Sequence, residues 1–277
     1  MRFKLVQTSC VVLSRLAKIP DVRFFTQITM EAAEDPGFLD AMRRAHILGA
    51  LVGVESVTPE GLKDVYKDFN LAGDHLVERL QTFRRHGVHV LGSFIFGLPS
   101  DNPSTFMATE DVARRANITF AQFVMLTPFP GTVDFIKWEK TLGDTPQKIA
   151  GIPITRRWLI PTALRPKLYW PHPVMSGEEI RRQTQAVWDR FYAWPTIWKR
   201  SNFIGSIRGR LAFMLISRIY RHMYADTGIA TDSARKSSSA RWARWLAKPC
   251  RRLFAARPMP HLQVPPAEPE LVSIAAD

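Results

Sequence analysis

Two adjacent polar residues, Glu55 and Ser56, follow an apolar run at residues 51–54 and are well placed to do chemistry. An ionised carboxylate accepts hydrogen bonds and a serine hydroxyl donates or accepts them, so the pair suits the two hydroxyl groups of a ribose. The plainer alternative is that Glu55 forms an ion pair with a neighbouring arginine and that Ser56 only caps the turn. Spacing alone leaves both interpretations open.

Two further segments could contact a ligand. Residues 92–99 alternate small and large side chains and then leave the apolar run through Gly97, Leu98 and Pro99. A glycine within a strand permits close approach of a flat group such as an adenine ring, but it also marks simple bulges and turns. Residues 127–132 form a rigid Pro-rich loop with or without a ligand. The histidines lack spaced partners, and no Ser/His/Asp set, Walker loop or metal-spaced cluster is present in the sequence.

The elements that must position these residues alternate between strands and helices. β-Branched and aromatic runs predict four strands, at residues 22–30, 51–55, 88–96 and 120–126. Helices lie between them, the first opening with Asp35 as its cap and Pro36 at its first position. Parallel strands require crossovers, so the pattern predicts βα units in part of a barrel or in an open sheet. In either case ligands are expected where the strands end.

Composition restricts the class of protein further. The 277 residues are 46% hydrophobic, but the longest apolar stretch, residues 211–216, is far too short to cross a bilayer. The two cysteines, Cys10 and Cys250, exclude a disulfide scaffold, a Cys-rich zinc module and a Cys-ligated iron–sulfur cluster held by this chain alone. Residues 21–145 carry 12 basic and 17 acidic side chains, whereas residues 196–277 carry 14 basic and five acidic ones. This asymmetry indicates two surfaces with different partners.

Four regions follow from these patterns: an N-terminal helix over 1–20, the βα region over 21–145, a Pro-rich segment and helical extension over 146–224, and a basic linker and disordered tail over 225–277. Residues 1–20 lack a small-x-small cleavage site, which favours a cytoplasmic protein over a secreted one. In the extension, Ser176 and Glu179 predict a capped helix start. A second helix is expected near residues 204–224, with one apolar side made of Ile207, Leu211, Met214, Leu215 and Ile219.

Several short segments, taken in order, resemble the cobalamin-binding type of the radical S-adenosylmethionine (SAM) superfamily. They are residues 24–27, 53–56, 61–70, 86–99 and 126–132. The resemblance implies an α/β fold: a partial TIM-like βα barrel of about four parallel strands, followed by a mostly helical C-terminal extension. In that family SAM is cleaved reductively at a 4Fe-4S cluster to drive radical chemistry such as methylation of an unactivated carbon.

The resemblance also implies which residues would contact SAM. Glu55 and Ser56 match the strand end that contacts the ribose. Ser93, Ile95 and Gly97 match the adenine-side motif GxIxGxxE, although Ser93 replaces its first glycine and Ser100 its final glutamate, with Gly92 and Asp101 adjacent. Met125 and Thr127, at the end of the last strand, would lie near the adenine. No catalytic residue and no metal ligand is assigned.

Other parts of the family pattern are missing from these 277 residues. The CxxxCxxC loop, the Gly-Gly-Glu that binds the methionine group of SAM, and the cobalamin domain have no counterpart, and a cluster needs three thiolates. We therefore expect the C-terminal portion of a truncated or split enzyme, whose N-terminal half would be encoded separately and would bring the ligands of the 4Fe-4S cluster and cobalamin. The alternative is a catalytically inactive scaffold that binds a nucleoside or a membrane surface. Loss of two strands would leave residues 22–30 as an exposed edge.

The basic C-terminal part combines cations with aromatic and aliphatic side chains over residues 196–255. Such stretches suit an anionic membrane surface, and the same charges could serve nucleic acid. A plain solvated helix packed on the barrel is the third alternative, and nucleic acid is the least favoured of the three. The expected location is cytoplasmic, with or without peripheral membrane contact.

Overall fold

Four parallel strands form one sheet in the order β1-β2-β3-β4 in the computed structural model, which describes residues 11–67, 73–161, 164–166 and 170–225. The strands are β1 (Phe24–Ile28), β2 (Ile47–Glu55), β3 (His89–Phe96) and β4 (Phe120–Met125). The predicted α/β class with four parallel strands is confirmed. The predictions for residues 1–10 and for the tail at 226–277 lie outside the described residues, and the four region boundaries stay predictions.

Helices connect the strands and continue beyond them. Residues 11–16 are helical (α1), and the crossovers contain α2 (Pro36–Arg44), α3 (Pro59–Asp64), α4 (Gly73–Arg85) and α5 (Pro103–Arg115). After the sheet come α6 (Val133–Thr141), a short hairpin of β5 (Lys148–Ile149) and β6 (Ile152–Pro153), α7 (Gly177–Phe191), α8 (Trp194–Arg200) and α9 (Ile207–Ala225). Single 3-10 turns at Met30–Glu34, Ile154–Leu159 and Ser201–Phe203 complete the described part.

Local capping chemistry sets several helix starts. The Asp35 carboxylate accepts the Phe38 N–H (2.9 Å) at the start of α2, and the Ser176 hydroxyl accepts the Glu179 N–H (3.1 Å) at the start of α7. Both caps are as the sequence predicts. Such side chains satisfy N–H groups that have no partner within the helix.

The sheet has one covered face and one open face. Alternate residues of β2 and β3, including Val52, Val54, Phe94 and Phe96, are buried on the side where α2, α4, α5 and α7 pack. The intervening residues point to the other side, which we call the inner face; it carries Leu51 and Gly53 from β2. The period-2 alternation of a strand produces this division. The inner face is the side on which the interior of a closed barrel would lie.

Side chains from α7 and α8 cover the outer edge of β4. The Tyr192 hydroxyl accepts the Ala121 N–H (3.0 Å) and donates to the Ala121 carbonyl (2.8 Å), and Trp188 Nε1 donates to the Phe123 carbonyl (2.7 Å). Arg200, which is buried, donates to the Thr119 carbonyl (2.6 Å). These groups take the place of a further strand, since an uncovered edge would leave its backbone groups unpaired.

Within the described residues, β1 pairs with β2 alone and is the other edge of the sheet. Its inner-face side chain Phe25 is 61% exposed. At the β4 side, by contrast, α9 lies over the inner face, where Phe213 and Tyr220 contact Phe120 at ring-centroid distances of 5.6 and 5.2 Å. The predicted exposed edge strand is therefore present in the described part of the chain.

Three elements are not predicted by the sequence patterns: α6, the β5–β6 hairpin and α8. Each is short, and the hairpin lies in Pro-rich sequence, where local propensity gives little signal. The apolar side expected for α9 is present, but Ile207 and Leu211 face solvent, whereas Phe213, Ser217 and Arg221 are buried. Over the described residues, no helix has both the length and the hydropathy required to cross a membrane.

Candidate functional site

The carboxyl ends of β2, β3 and β4 meet at one rim of the sheet. Gly53 pairs in register with Ser93, Ser93 with Gln122, and Ile95 with Val124. A cavity of about 780 Å³ lies against the inner face at this rim, within the range of small-molecule sites. Five of the seven predicted ligand residues line it: Glu55, Ser93, Ile95, Met125 and Thr127.

Glu55 has an unusual backbone conformation. It is a non-glycine residue with a φ of +65°, and the register between β2 and β3 shifts between Gly53 and Glu55. Left-handed conformations cost free energy in residues other than glycine and tend to persist at functional sites. The alternation of β2 places Glu55 on the inner face with Leu51 and Gly53, and its carboxylate lines the cavity.

The Glu55 carboxylate is held by Lys67, whose Nζ donates to Oε1 (2.9 Å) and to the Gly53 carbonyl (3.4 Å). The Glu55 side chain is 18% exposed. Within the described residues no hydrogen bond reaches its second oxygen, Oε2, which can therefore accept from a ligand. Residue spacing alone allowed an ion pair between Glu55 and an arginine; the structure has an ion pair with Lys67, and the carboxylate still lines the cavity.

Gly53 is required for this arrangement. A Cβ at position 53 would lie 2.4 Å from Glu55 Oε1 and 3.2 Å from Lys67 Nζ. Any side chain there would displace the carboxylate or the lysine.

Ser56 and Gly97 do not line the cavity. The buried Ser56 hydroxyl accepts the Thr58 N–H (3.3 Å), and Gly61 of α3 packs against it, which is the turn-capping alternative of the sequence analysis. Gly97 adopts a φ of +89°, a left-handed conformation that favours glycine, and it donates its N–H to Asp101 Oδ2 (2.8 Å). Their predicted ligand roles stay predictions.

Polar side chains cross the inner face beneath the rim. Gln122 Nε2 donates to Ser93 Oγ (2.8 Å), and the Tyr224 hydroxyl of α9 donates to Gln122 Oε1. Gln122 was not predicted, although it is a polar residue within the apolar strand sequence FAQFVM. This chain of groups fixes the orientation of the amide and gives the largely apolar cavity a polar strip.

Asp101 organises the loop after β3. Its Oδ2 accepts N–H groups from Gly97 (2.8 Å) and Leu98 (3.0 Å), while Oδ1 is buried and has no hydrogen-bond partner in the described part of the chain. Burial raises the pKa of this carboxyl to about 6, against the lowering effect of the two N–H groups. Ser100, which matches the final glutamate of the family motif, instead donates its N–H to Asp64 Oδ2 (2.9 Å).

Two residues of the Pro-rich segment hold the loops that border the cavity. His172 Nδ1 accepts N–H groups from Val174 (3.1 Å) and Met175 (2.9 Å), so Nε2 carries the proton that is donated to the Leu98 carbonyl (2.9 Å). Arg157 donates to the Pro128 carbonyl after β4. His172 thus has both ring nitrogens engaged in holding structure, the role expected for the histidines.

A cation and an aromatic ring also line the cavity. Lys137 of α6 donates to the Tyr66 hydroxyl (2.7 Å) and lies 5.1 Å from the centre of the Tyr66 ring. The hydrogen bond to Tyr66 raises the pKa of the exposed Lys137 ammonium, so it is charged at neutral pH. Neither residue was predicted as part of the site, because they are 71 positions apart and each lies outside the strands.

The described residues do not fit an iron–sulfur cluster. No group of three or more His, Cys, Asp or Glu side chains among them is arranged to hold a metal ion, and both cysteines lie outside the described ranges. What the rim offers is a carboxylate, an amide and a hydroxyl beside apolar side chains. Such a set binds a flat, partly polar molecule with vicinal hydroxyls, as a nucleoside is.

Comparison with known proteins agrees with this chemistry. No family model matches the chain. It is 27% identical over 157 residues to an uncharacterised methyltransferase of Pyrococcus horikoshii, covering 57% of this chain and 31% of that protein. It is 32% identical over 124 residues to bacteriochlorophyllide d C-12(1)-methyltransferase of Chlorobaculum tepidum, covering 45% and 27%. The chain thus spans less than a third of the length of either relative.

Among solved structures, the fold matches the radical S-adenosylmethionine methyltransferase TsrM of Kitasatospora setae, determined with cobalamin and a 4Fe-4S cluster bound. The TM-score is 0.50 and the identity 18%, over 76% of this chain and 49% of that one. The predicted resemblance is confirmed as a similarity of fold to a cobalamin-binding radical SAM methyltransferase, and in sequence the chain is similar to part of two methyltransferases.

Proposed function

We propose that the cavity binds the adenosine part of SAM and that the chain serves SAM-dependent methyl transfer of the radical type. The observation that carries this proposal is the meeting of five residues, assigned to SAM from motif order, around one cavity at the carboxyl ends of three parallel strands. Those residues come from three separate segments of the sequence. The methyltransferase relatives support the same reaction class.

The residues present fit the nucleoside. Glu55 Oε2 would accept hydrogen bonds from the ribose hydroxyls, with Lys67 holding the carboxylate in place. Ile95 and Met125 offer apolar surface to the adenine ring, and the Ser93–Gln122 pair offers a hydroxyl and an amide to its edge. When bound, SAM would supply the group that is transferred or the radical precursor. The role of this chain is to hold and orient it.

In contrast to the nucleoside, an iron–sulfur cluster does not fit the described residues. With two cysteines in 277 residues, three thiolates cannot come from this sequence. We therefore propose that the cluster-binding thiolates, and any cobalamin ligands, belong to polypeptide outside these residues, for which the separately encoded N-terminal half is the expected partner.

Calorimetry with SAM tests nucleoside binding. We expect Glu55→Gln to weaken SAM binding about tenfold or more, because a hydrogen bond to a charged acceptor contributes on the order of 1.5–3 kcal/mol. Glu60→Gln, the same change on the exposed surface of α3, is the matched control and should bind as the wild type does. Unchanged thermal unfolding of both variants would show that they fold. Equal affinity of Glu55→Gln and wild type would contradict the assignment of the ribose site.

Anaerobic reconstitution with iron and sulfide tests the origin of the cluster. We expect the chain alone to give no stoichiometric 4Fe-4S absorbance. A full cluster formed by the chain alone would contradict the assignment of the thiolates. If SAM binds and no cluster forms with any co-expressed partner, the alternative of a nucleoside-binding module without catalysis is favoured.

A further inference from the structure

Helix α9 presents an apolar stripe to solvent. Ile207, Leu211, Leu215, Ile219 and Met223 follow one another at four-residue spacing, and these side chains share one side of an α-helix. The exposed fractions of Ile207, Leu211 and Met223 are 59, 56 and 65%. A surface helix normally turns such a stripe toward the core.

The opposite side of α9 explains this orientation. Phe213 packs on Phe120 of β4 and on Phe203, and the Tyr224 hydroxyl reaches Gln122. Arg221 is buried and donates to Asp189 (3.0 Å). The aromatic side of α9 thus packs against the sheet. Leu215 and Ile219 of the stripe are half-buried, whereas Ile207, Leu211, Met223 and the neighbouring Ile216 remain uncovered by the part of the chain that the structure describes.

Cations and two exposed tryptophans accompany the stripe. Residues 194–225 contain six Lys or Arg and no Asp or Glu. The Arg210 guanidinium lies 3.7 Å from the centre of the Trp198 ring, and that of Arg218 lies 5.3 Å from Trp194. Both rings belong to α8 and are exposed. The arginines of α9 therefore hold two indole rings beside the stripe.

A further exposed cation, Arg208, lies in the first turn of α9. Within the described residues it forms no ion pair. The surface therefore combines aliphatic side chains, indole rings and uncompensated positive charge, and it lacks negative charge over 32 consecutive positions.

We propose that this surface, formed by the solvent side of α9 with Trp194 and Trp198, docks on an anionic lipid bilayer. Aliphatic side chains enter the boundary between headgroups and acyl chains, tryptophans lie at the headgroup level, and basic residues meet the anionic lipids. Since α9 does not meet the requirements for a membrane span, the contact is peripheral. A symmetric contact with a second copy is disfavoured, because this surface carries positive and no negative charge over residues 194–225 and would meet the same positive charge on its partner.

Vesicle flotation of the full chain tests this docking. The vesicles contain phosphatidylcholine alone or phosphatidylcholine with roughly a third phosphatidylglycerol. We expect the wild type to float with the anionic vesicles and to stay unbound with the neutral ones. Raising the salt concentration should weaken the binding, because the lipid charges are screened.

Two variants assign the binding to α9. Arg208→Glu should weaken partitioning about tenfold or more, because each basic side chain at an anionic surface contributes a factor of about five and the change also adds a repelled charge. Leu211→Ser with Ile216→Ser should reduce it by at least a similar factor, since both apolar groups leave the bilayer. All three positions are exposed, so the variants should unfold at the wild-type temperature.

Matched controls change the same chemistry elsewhere. Lys140→Glu on α6 and Met107→Ser on α5 alter an exposed cation and an exposed apolar side chain, and both should bind vesicles as the wild type does. Equal flotation of the α9 variants and wild type would overturn the proposal and assign lipid binding to another segment. It would also be overturned if the wild type ignored anionic vesicles, or if it formed a dimer in solution that the Leu211→Ser, Ile216→Ser change dissociates.

Discussion

At the residue scale, Glu55 combines a strained backbone conformation with a position in the cavity. Its φ of +65° costs on the order of 1–3 kcal/mol, and the ion pair with Lys67 and the bare backbone of Gly53 make the conformation possible. The carboxylate at the end of β2 thus lies in the cavity and is held there by Lys67.

Gly53→Ala tests that dependence. The added methyl group would overlap Glu55 Oε1, so we expect the carboxylate to leave Lys67 and SAM affinity to fall about tenfold. Calorimetry measures the change. Gly37→Ala at the start of α2, where the new Cβ would meet only Asp35 Oδ1 at 3.4 Å, is the control. Wild-type affinity in Gly53→Ala would show that the position of the carboxylate does not matter for binding.

Asp101 makes stability depend on pH. Its pKa rises from the ordinary value of 3.8 to about 6 because burial disfavours the charge. The stabilisation of the protonated form is complete below pH 3.8 and is lost as the pH rises through 6, a difference of about 3 kcal/mol for such a shift. Asp101→Asn cannot ionise, so the difference in unfolding free energy between wild type and variant should fall by up to that amount between pH 4 and 7. Urea unfolding at several pH values measures it, and parallel pH curves would contradict the assignment.

Motif order in the sequence identified the residues at strand ends, Glu55, Ser93, Ile95, Met125 and Thr127, that the structure brings to one cavity. It could not identify their partners. Lys67 follows a short helix, and Gln122 meets Ser93 across a strand pairing 29 residues apart. Such contacts depend on register and on the bulge in β2, which local propensity does not encode.

At the element scale, we expect the side chains that cover the edge of β4 to contribute strongly to the stability of the fold. Tyr192→Phe removes the one hydroxyl that satisfies both the N–H and the carbonyl of Ala121. Two buried backbone groups would lose their partner, so we expect a loss of about 2–4 kcal/mol in the free energy of unfolding. Tyr66→Phe, at an exposed position, makes the same chemical change and should cost less than about 1 kcal/mol. A smaller effect at Tyr192 than at Tyr66 would mean that the edge is satisfied in another way.

The four strands were predictable because β-branched and aromatic residues concentrate in them and helix caps stand between them. The orientation of α9 was not, because the helix is apolar on two sides. The aromatic side chains Phe213, Tyr220 and Tyr224 face the sheet, because aromatic groups bury a large area each when they pack. Likewise α8 begins with Trp-Pro and has only seven residues, so tertiary contacts of Arg200 and Ile197 decide it.

At the scale of the whole molecule, the two edges of the sheet differ. The β4 edge is closed by side chains, whereas β1 pairs with β2 alone in the described part of the chain and exposes Phe25. An apolar edge strand invites pairing with other chains.

Phe25→Lys should therefore reduce aggregation of the isolated chain. A charge on an edge strand opposes further strand pairing, and the exposed side chain contributes little to the core. Light scattering at increasing protein concentration measures the effect, with Tyr66→Lys as the control for adding a charge at an exposed aromatic position. Equal scattering of Phe25→Lys and wild type would mean that aggregation, where it occurs, starts elsewhere.

The Pro-rich segment contacts both loops that border the cavity. Arg157 donates a hydrogen bond to the carbonyl of Pro128, and His172 donates one to the carbonyl of Leu98. We therefore expect the loops after β3 and β4 to be less free to move away from the cavity than loops without such contacts.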